Sequence, residues 1–241
     1  MRTGRAATLG LLLVLIAAMP LHAIASDLWG GSIGFTNDYL VRGISRSNHD
    51  AGLQGDVHAA TRSGFIGGLF VSTIAVLPRA SRNAELNPYL GFTWALNNAW
   101  RTKIIGTHYA YPWIDAGTRY HYDELSADAT YRDWLNFNVV YSPNYAHYIP
   151  YRGPTGVVVK SGEMNLQAAL RHNLTAAAGL GISHVAGPDP SAYLYWSAGI
   201  RYDLAPAMLS VTYVNTSAGA TDLFYEAAAR NRWNVAIIWH F

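Results

Sequence analysis

The chain has 241 residues, about half of them apolar and 13% aromatic, with 22 glycines, no cysteine and a formal net charge of +2. The near-balance of charge argues against a nucleic-acid partner, and the missing cysteines remove disulfide frameworks and thiolate chemistry. Beyond the N-terminal segment no apolar run reaches helix-spanning length, so the Tyr-, Trp- and Gly-rich composition fits a sheet-based membrane protein better than a helical one.

Arg2 and Arg5 precede an apolar run from Ala6 to Met19 that is too short to span a bilayer. Pro20 breaks it, and Ala23-Ile24-Ala25 forms a small-residue cleavage site. This predicts a signal peptide over 1–25 and one domain over 26–241, with Ser26 as the mature N-terminus. Loss of Arg2 and Arg5 leaves that domain formally neutral.

Period-two alternation then predicts twelve strands. The first covers about 32–41, with Ile33, Phe35, Tyr39 and Val41 on one face and Thr36 and Asp38 on the other. The second (53–59) sets Leu53, Gly55 and Val57 against Gln54, Asp56 and His58, and the third covers 65–72. The fourth (86–96) carries Leu86, Leu90, Phe92, Trp94 and Leu96 outward and Asn87, Tyr89 and Thr93 inward. Asn97-Asn98 is a hairpin signal leading to the fifth (100–111), whose register is open because His108 shares a face with Trp100 and Ile104. The sixth (122–131) opposes Leu125, Ala127 and Ala129 to Glu124, Ser126 and Asp128, and Arg132-Asp133 turns it into the seventh (135–141). The eighth sets Met164, Leu166, Ala168 and Leu170 against Glu163, Asn165 and Gln167. The ninth covers 174–183. The tenth opposes Leu194, Trp196, Ala198, Ile200 and Tyr202 to Tyr193, Tyr195, Ser197 and Arg201, and the eleventh covers 207–214.

The closing strand, Trp233 to Phe241, places Trp233, Val235, Ile237, Trp239 and Phe241 on one face, with Asn234, Ala236, Ile238 and His240 on the other. Eight steps of about 3.3 Å, tilted by roughly 40°, rise about 20 Å, close to the apolar band of an outer-membrane barrel. Aromatic residues at both ends of the apolar face match two interfacial girdles, and a terminal Phe241 resembles the signal by which barrels are recognised for assembly. Connections after even strands are short, near Ser63, Asn97, Arg132, His172 and Pro206. Those after odd strands are longer, over about 43–52, 73–85, 112–121, 142–162, 184–192 and 215–231. Short periplasmic turns and longer external loops produce this alternation, whereas a soluble sandwich gives no reason for it. The predicted fold is therefore all-β: a transmembrane antiparallel up-and-down barrel of about 12 strands in the outer membrane of a Gram-negative bacterium.

The segment Gly34-Phe35-Thr36-Asn37-Asp38-Tyr39-Leu40-Val41-Arg42-Gly43-Ile44-Ser45-Arg46-Ser47 resembles the opening motif of the TorF-type porin family, also called the Gcw_chp proteins of unknown function. Gln54-Gly55-Asp56, Glu85-Leu86-Asn87-Pro88-Tyr89 and Tyr111-Pro112 are further echoes. Val41, Arg46 and Asn87 depart from that pattern, where Phe, Gln and Asp are usual. The resemblance implies an outer-membrane barrel and a pore, and supplies no substrate.

Barrel enzymes acting on lipid need a nucleophile and a base on one face. Ser183 and His184 are adjacent and point opposite ways, and Ser47 and His49 fall in a predicted outer loop. No catalytic residue is assigned and no enzyme expected, though a lipid-modifying barrel is the remote alternative. The histidines at 49, 58, 108, 121, 147, 172, 184 and 240 lack ligand spacing, so neither a metal nor a cofactor is assigned. The inward polar positions Asp38, Arg42, Asp56, Arg101, Lys103, Glu124, Asp128, Glu163 and Arg201 are the candidates for lining a water-filled lumen. Arg46, Arg79, Arg82, Arg119, Arg152, Lys160, Arg230 and Arg232 are expected on outer loops, where their field would gather anions or lipid phosphates. The function read from these features is passive diffusion of small hydrophilic solutes through a porin-like channel. The alternative is a non-conducting barrel that binds a ligand, lipopolysaccharide or a protein through its external loops. Expected partners are outer-membrane lipid and lipopolysaccharide, the barrel-assembly machinery and the solute.

Overall fold

The computed structural model describes residues 28–75, 83–113, 121–149, 153–187, 190–224 and 226–241. The segment 1–25 and the loop arginines Arg79, Arg82, Arg119 and Arg152 lie outside the described residues. In chain order the elements are β1 (Leu28–Thr36), β2 (Leu40–Val41), β3 (Ile44–Ser45), β4 (Gly52–Ala60), β5 (Phe65–Ile74), β6 (Asn83–Ala95) and β7 (Trp100–Ala110). There follow β8 (His121–Tyr131), β9 (Leu135–Ile149), β10 (Gly153–Arg171), β11 (Leu174–Ala186), β12 (Ser191–Leu204) and β13 (Ala207–Thr216). The chain ends with the short helices α1 (Gly219–Leu223) and α2 (Glu226–Ala229) and with β14 (Arg232–His240).

Twelve of the strands form a closed antiparallel barrel in which each pairs with its sequence neighbour. Closure is made by β1, which pairs with β4 from Leu28↔Ala60 to Thr36↔Gly52 and with β14 from Ser32↔His240 to Thr36↔Ala236. Each of the twelve barrel strands is paired on both sides, so the sheet has no free edge, the condition for crossing hydrocarbon with strands. Alternation does the rest. Along β14, Trp233, Val235, Ile237 and Trp239 are exposed on the outer face, while Asn234, Ala236 and Ile238 are buried inside. The same belt continues through Ile33, Leu53, Leu90, Leu125, Val139, Leu180 and Leu194. Aromatic pairs mark its two rims. At the outer rim Tyr213 lies 5.4 Å from Trp196 and 5.3 Å from Trp233, centroid to centroid. At the rim carrying the termini Phe65 packs on Phe92 and Trp100 on Tyr131, both at 5.0 Å. A closed barrel with an apolar belt between aromatic girdles is a transmembrane barrel of the outer-membrane type, and its end with the short turns is the periplasmic one.

The structure corrects the expected elements at three places. The first strand stops at Thr36 instead of Val41, because Asn37 caps the neighbouring strand: its side chain donates to Trp233 O at 3.0 Å and accepts from Val235 N at 2.7 Å. Tyr39 and Val41 are consequently not on the lipid face. The expected outer loop over 142–162 is mostly strand, since β9 and β10 continue their pairing up to Ile149 and Gly153. The turn at Asn97 is wider than two residues, with Asn97 Oδ1 accepting from the backbone N–H of Ala99 and Trp100. The open register of β7 is settled by His108, which shares the outer face with Ile104 and meets Asp123 Oδ1 at 2.7 Å near the outer rim.

Candidate functional site

Between β1 and β4 the chain does not arch outward over the barrel. It folds into the lumen as a two-stranded hairpin, β2 paired with β3 through Leu40↔Ser45 and Val41↔Ile44. The turn is Arg42-Gly43, with φ of +50° and +79°. Two successive positive φ values at a two-residue connection are those of the primed turn that matches strand twist. Glycine is required at 43 for a second reason: a Cβ there would stand 2.6 Å from Thr216 Cγ2 and 2.9 Å from Tyr195 Cβ. Arg42 carries the strain of a left-handed backbone without being glycine, asparagine or aspartate, which points to a side chain held for a purpose.

That purpose is visible on the wall. Arg42 Nη1 and Nη2 donate to Glu124 Oε1 and Oε2 at 3.0 and 2.6 Å, a buried two-pronged ion pair. Arg46 donates to the hydroxyls of Tyr145, Tyr111 and Tyr122 at 3.1, 2.5 and 2.8 Å. Its guanidinium carbon lies 5.8 to 6.0 Å from the centroids of the same three rings. Tyr39 donates to Glu85 Oε1 at 2.7 Å, and Asn87 supplies a second donor at 2.9 Å. Burial, reinforced by the Glu85 carboxylate, pushes the Tyr39 phenol well above its usual value, so it remains a donor.

Asp38 ties the base of the hairpin together. Its Oδ1 accepts from Ser45 and Ser47 at 2.6 and 2.9 Å, and its Oδ2 accepts from Arg232 at 2.8 Å. Asn234 donates to the Asp38 carbonyl at 2.6 Å. From above, Ala220 of α1 and Ala229 of α2 pack with Ile44, Tyr193 and Tyr195. Inward apolar side chains of the outer half, among them Phe70, Ile74, Ile105, Val159 and Val185, form one cluster with Tyr39. The outer half of the barrel is therefore filled.

The periplasmic half is different. Its inner wall carries Arg101 paired with Asp133, Lys103 with Asp128 at 3.5 Å and Arg201 with Asp203 at 3.2 Å. Here the Lys103 and Asp128 side chains are 22% and 19% exposed, against 5% for both Arg42 and Glu124, while Arg201 stays buried at 6% beside an exposed Asp203. Glu163 sits between the two halves, accepting from Asn165 at 2.7 Å and Tyr195 at 2.9 Å. Asp56 lies at mid-height, held by His58 at 2.5 Å and Tyr89 at 2.9 Å.

The nine lumen candidates fall on two different bodies. Asp56, Arg101, Lys103, Glu124, Asp128, Glu163 and Arg201 belong to the wall, while Asp38 and Arg42 belong to the inserted hairpin. The outer-loop assignment fails for Arg46, which is inside, and for Arg232 and Lys160, which lie on β14 and β10. Reading by alternation alone passed over Glu85 and the tyrosines that receive Arg46. The turn pair Arg42-Gly43 between short apolar runs was the sequence signal for the hairpin. Neither serine–histidine pair forms a nucleophile and base. Ser47 is bound to Asp38, and Ser183 faces Ser161 inside while His184 is exposed outside.

Residues 25–240 match the family described as "Bacterial protein of unknown function (Gcw_chp)", and the chain belongs to that family. The description carries no TorF-type name and no activity. No curated protein matches the sequence. Among solved structures, the NanC porin is similar with a TM-score of 0.58 at 8% identity, covering 88% of this chain and 99% of that one. The KdgM porin in complex with disordered oligogalacturonate is similar with a TM-score of 0.53 at 10% identity, covering 89% and 99%. At such identities the likeness is one of fold.

Proposed function

We propose that the protein is a porin-like channel for passive diffusion of small hydrophilic solutes, with the hairpin from Asp38 to Ser47 seated as its plug. The observation that carries this reading is the ladder of charged pairs on the periplasmic inner wall, which leads up to the hairpin. A fully buried ion pair often recovers less than its desolvation cost, whereas the partly exposed Arg101–Asp133 and Lys103–Asp128 pairs are placed as the lining charges of a wet pore would be. The shared fold with the KdgM and NanC porins supports the reading. In the same proposal, residues 1–25 direct export, the barrel-assembly machinery reads the closing strand, and lipid and lipopolysaccharide surround the belt.

Planar-bilayer recording of refolded protein tests it. Wild type should show a low resting current with brief openings, and replacement of 38–47 by a short Gly-Ser link should give a steady current. The many bonds of the hairpin favour a second reading, a closed barrel that binds a ligand through its outer end. Absence of current in both proteins, each heat-modifiable on gels, would favour that reading and overturn the channel.

A further inference from the structure

The guanidinium groups of Arg42 and Arg46 occupy sites built by the wall. One is the Glu124 carboxylate, which takes a planar donor in two prongs. The other is the ring of Tyr111, Tyr122 and Tyr145, which offers three hydroxyl acceptors and the faces of three rings to one cation. Glu85 stands beside it, fully buried, and its Oε2 makes no hydrogen bond among the described residues, with Arg46 Nη2 at 4.0 Å. The wall around the hairpin supplies almost no positive charge of its own. Among the described residues it presents Glu85, Glu124, Glu163 and Asp56 inward, and its cation is Arg232 at the rim, held by Asp38 and by the carbonyls of Ala228 and Arg230. On the inner wall of the periplasmic half, Arg101, Lys103 and Arg201 each stand beside an acid.

We infer that the hairpin is an internal stand-in for a cationic solute, and that the unplugged lumen binds and passes guanidinium- or amidinium-bearing cations through the Glu124 and tyrosine sites. Passage rests on the channel reading; the binding sites do not. The stand-in also explains why a channel would carry a plug tipped with arginine. Once the hairpin leaves, a narrow acidic constriction remains whose low-dielectric walls concentrate the field. A planar cation entering it regains the fork on Glu124 and the ring faces that Arg42 and Arg46 vacated. Among the described inward-facing wall residues around the hairpin, an anionic solute meets carboxylates, and the one cation, Arg232, is already held by Asp38.

Two measurements separate this inference from the channel reading. In Arg42→Ala the Glu124 carboxylate loses its partner and leaves a space of guanidinium size. Guanidinium chloride at low millimolar, non-denaturing concentration should raise the melting temperature or refolding yield of that variant, sodium chloride at equal strength should not, and wild type should show no difference. In the variant with 38–47 replaced, reversal potentials in a potassium chloride gradient should show a preference for K+ over Cl− of about tenfold or more. Glu85→Gln with Glu124→Gln in that background should reduce it toward parity. Current without cation preference and without guanidinium rescue overturns the inference and leaves the channel standing. Guanidinium rescue without current in either protein establishes the binding sites and overturns the channel and, with it, passage of the cation.

Discussion

Arg42 reaches Glu124 from a backbone turned to φ +50°, so the strain of the turn and the buried ion pair belong to one device. Removing one member leaves the other charge buried and alone, at a cost of about 3–5 kcal/mol. Arg42→Ala and Glu124→Gln should each raise the frequency of openings in bilayer recordings. The double variant should lose less than the two single losses combined, because neither remaining group is then a stranded charge. Additive effects would show that the two side chains do not hold the hairpin together.

Gly43 gives a cleaner test of the seat, since its substitution changes no charge. A methyl group there meets Thr216 and Tyr195 within 3 Å and adds a left-handed strain of roughly 1–3 kcal/mol. Gly43→Ala should leave the heat-modifiable barrel intact and raise the rate at which an external protease cuts within 37–51. A cleavage rate equal to wild type would mean that the hairpin accommodates the added methyl without leaving its seat.

The barrel itself was legible in the sequence because its cause is local. Leu194, Trp196, Ala198 and Ile200 alternate with Tyr193, Tyr195, Ser197 and Arg201, and lipid on one side fixes which set points out. The inserted hairpin was not legible by that rule. Tyr39 and Val41 continue the alternation of Ile33 and Phe35, so the pattern runs on where the strand ends. What ends it is Asn37 bonding to Trp233 and Val235, a contact between the two ends of the chain that no local period records. The same limit applies to Glu85 and Tyr145, which meet the hairpin only through the closed barrel. Arg42-Gly43 was the local trace, and the resemblance marked the segment without saying what it does.

The closing strand carries a prediction about assembly. Phe241 is exposed, and its backbone exchanges hydrogen bonds with Gly31 at 3.0 and 3.1 Å, so the last residue is stitched to the first barrel strand. Phe241→Ala keeps those backbone bonds and removes only the aromatic group. If that group is the assembly signal together with Trp239, Ile237, Val235 and Trp233, the variant should refold in detergent like wild type and accumulate in the periplasm of expressing cells. Normal outer-membrane levels in fractionated cells would show that the aromatic terminus is dispensable.

The face assignment itself can be tested by a single side chain placed on either side of the wall. Ile237 is 49% exposed on the outer face, between Val235 and Trp239, and Trp233 and Phe241 stand at the two rims of the same row. Arginine there would sit near the middle of the hydrocarbon, at a cost of roughly 2–4 kcal/mol. Its inward neighbour Ala236 is closed in at 1% exposure between Thr36 and Ser210, so crowding would confuse the comparison. Ala177 on β11 is the better inward site, half-buried beside Gln167 and Gly199 in the periplasmic half. Ile237→Arg should lower the yield of heat-modifiable barrel, whereas Ala177→Arg should assemble and shift the conductance of the variant lacking 38–47. Equal assembly of the two would mean that the Ile237 face does not meet lipid, and the membrane assignment would fall with it.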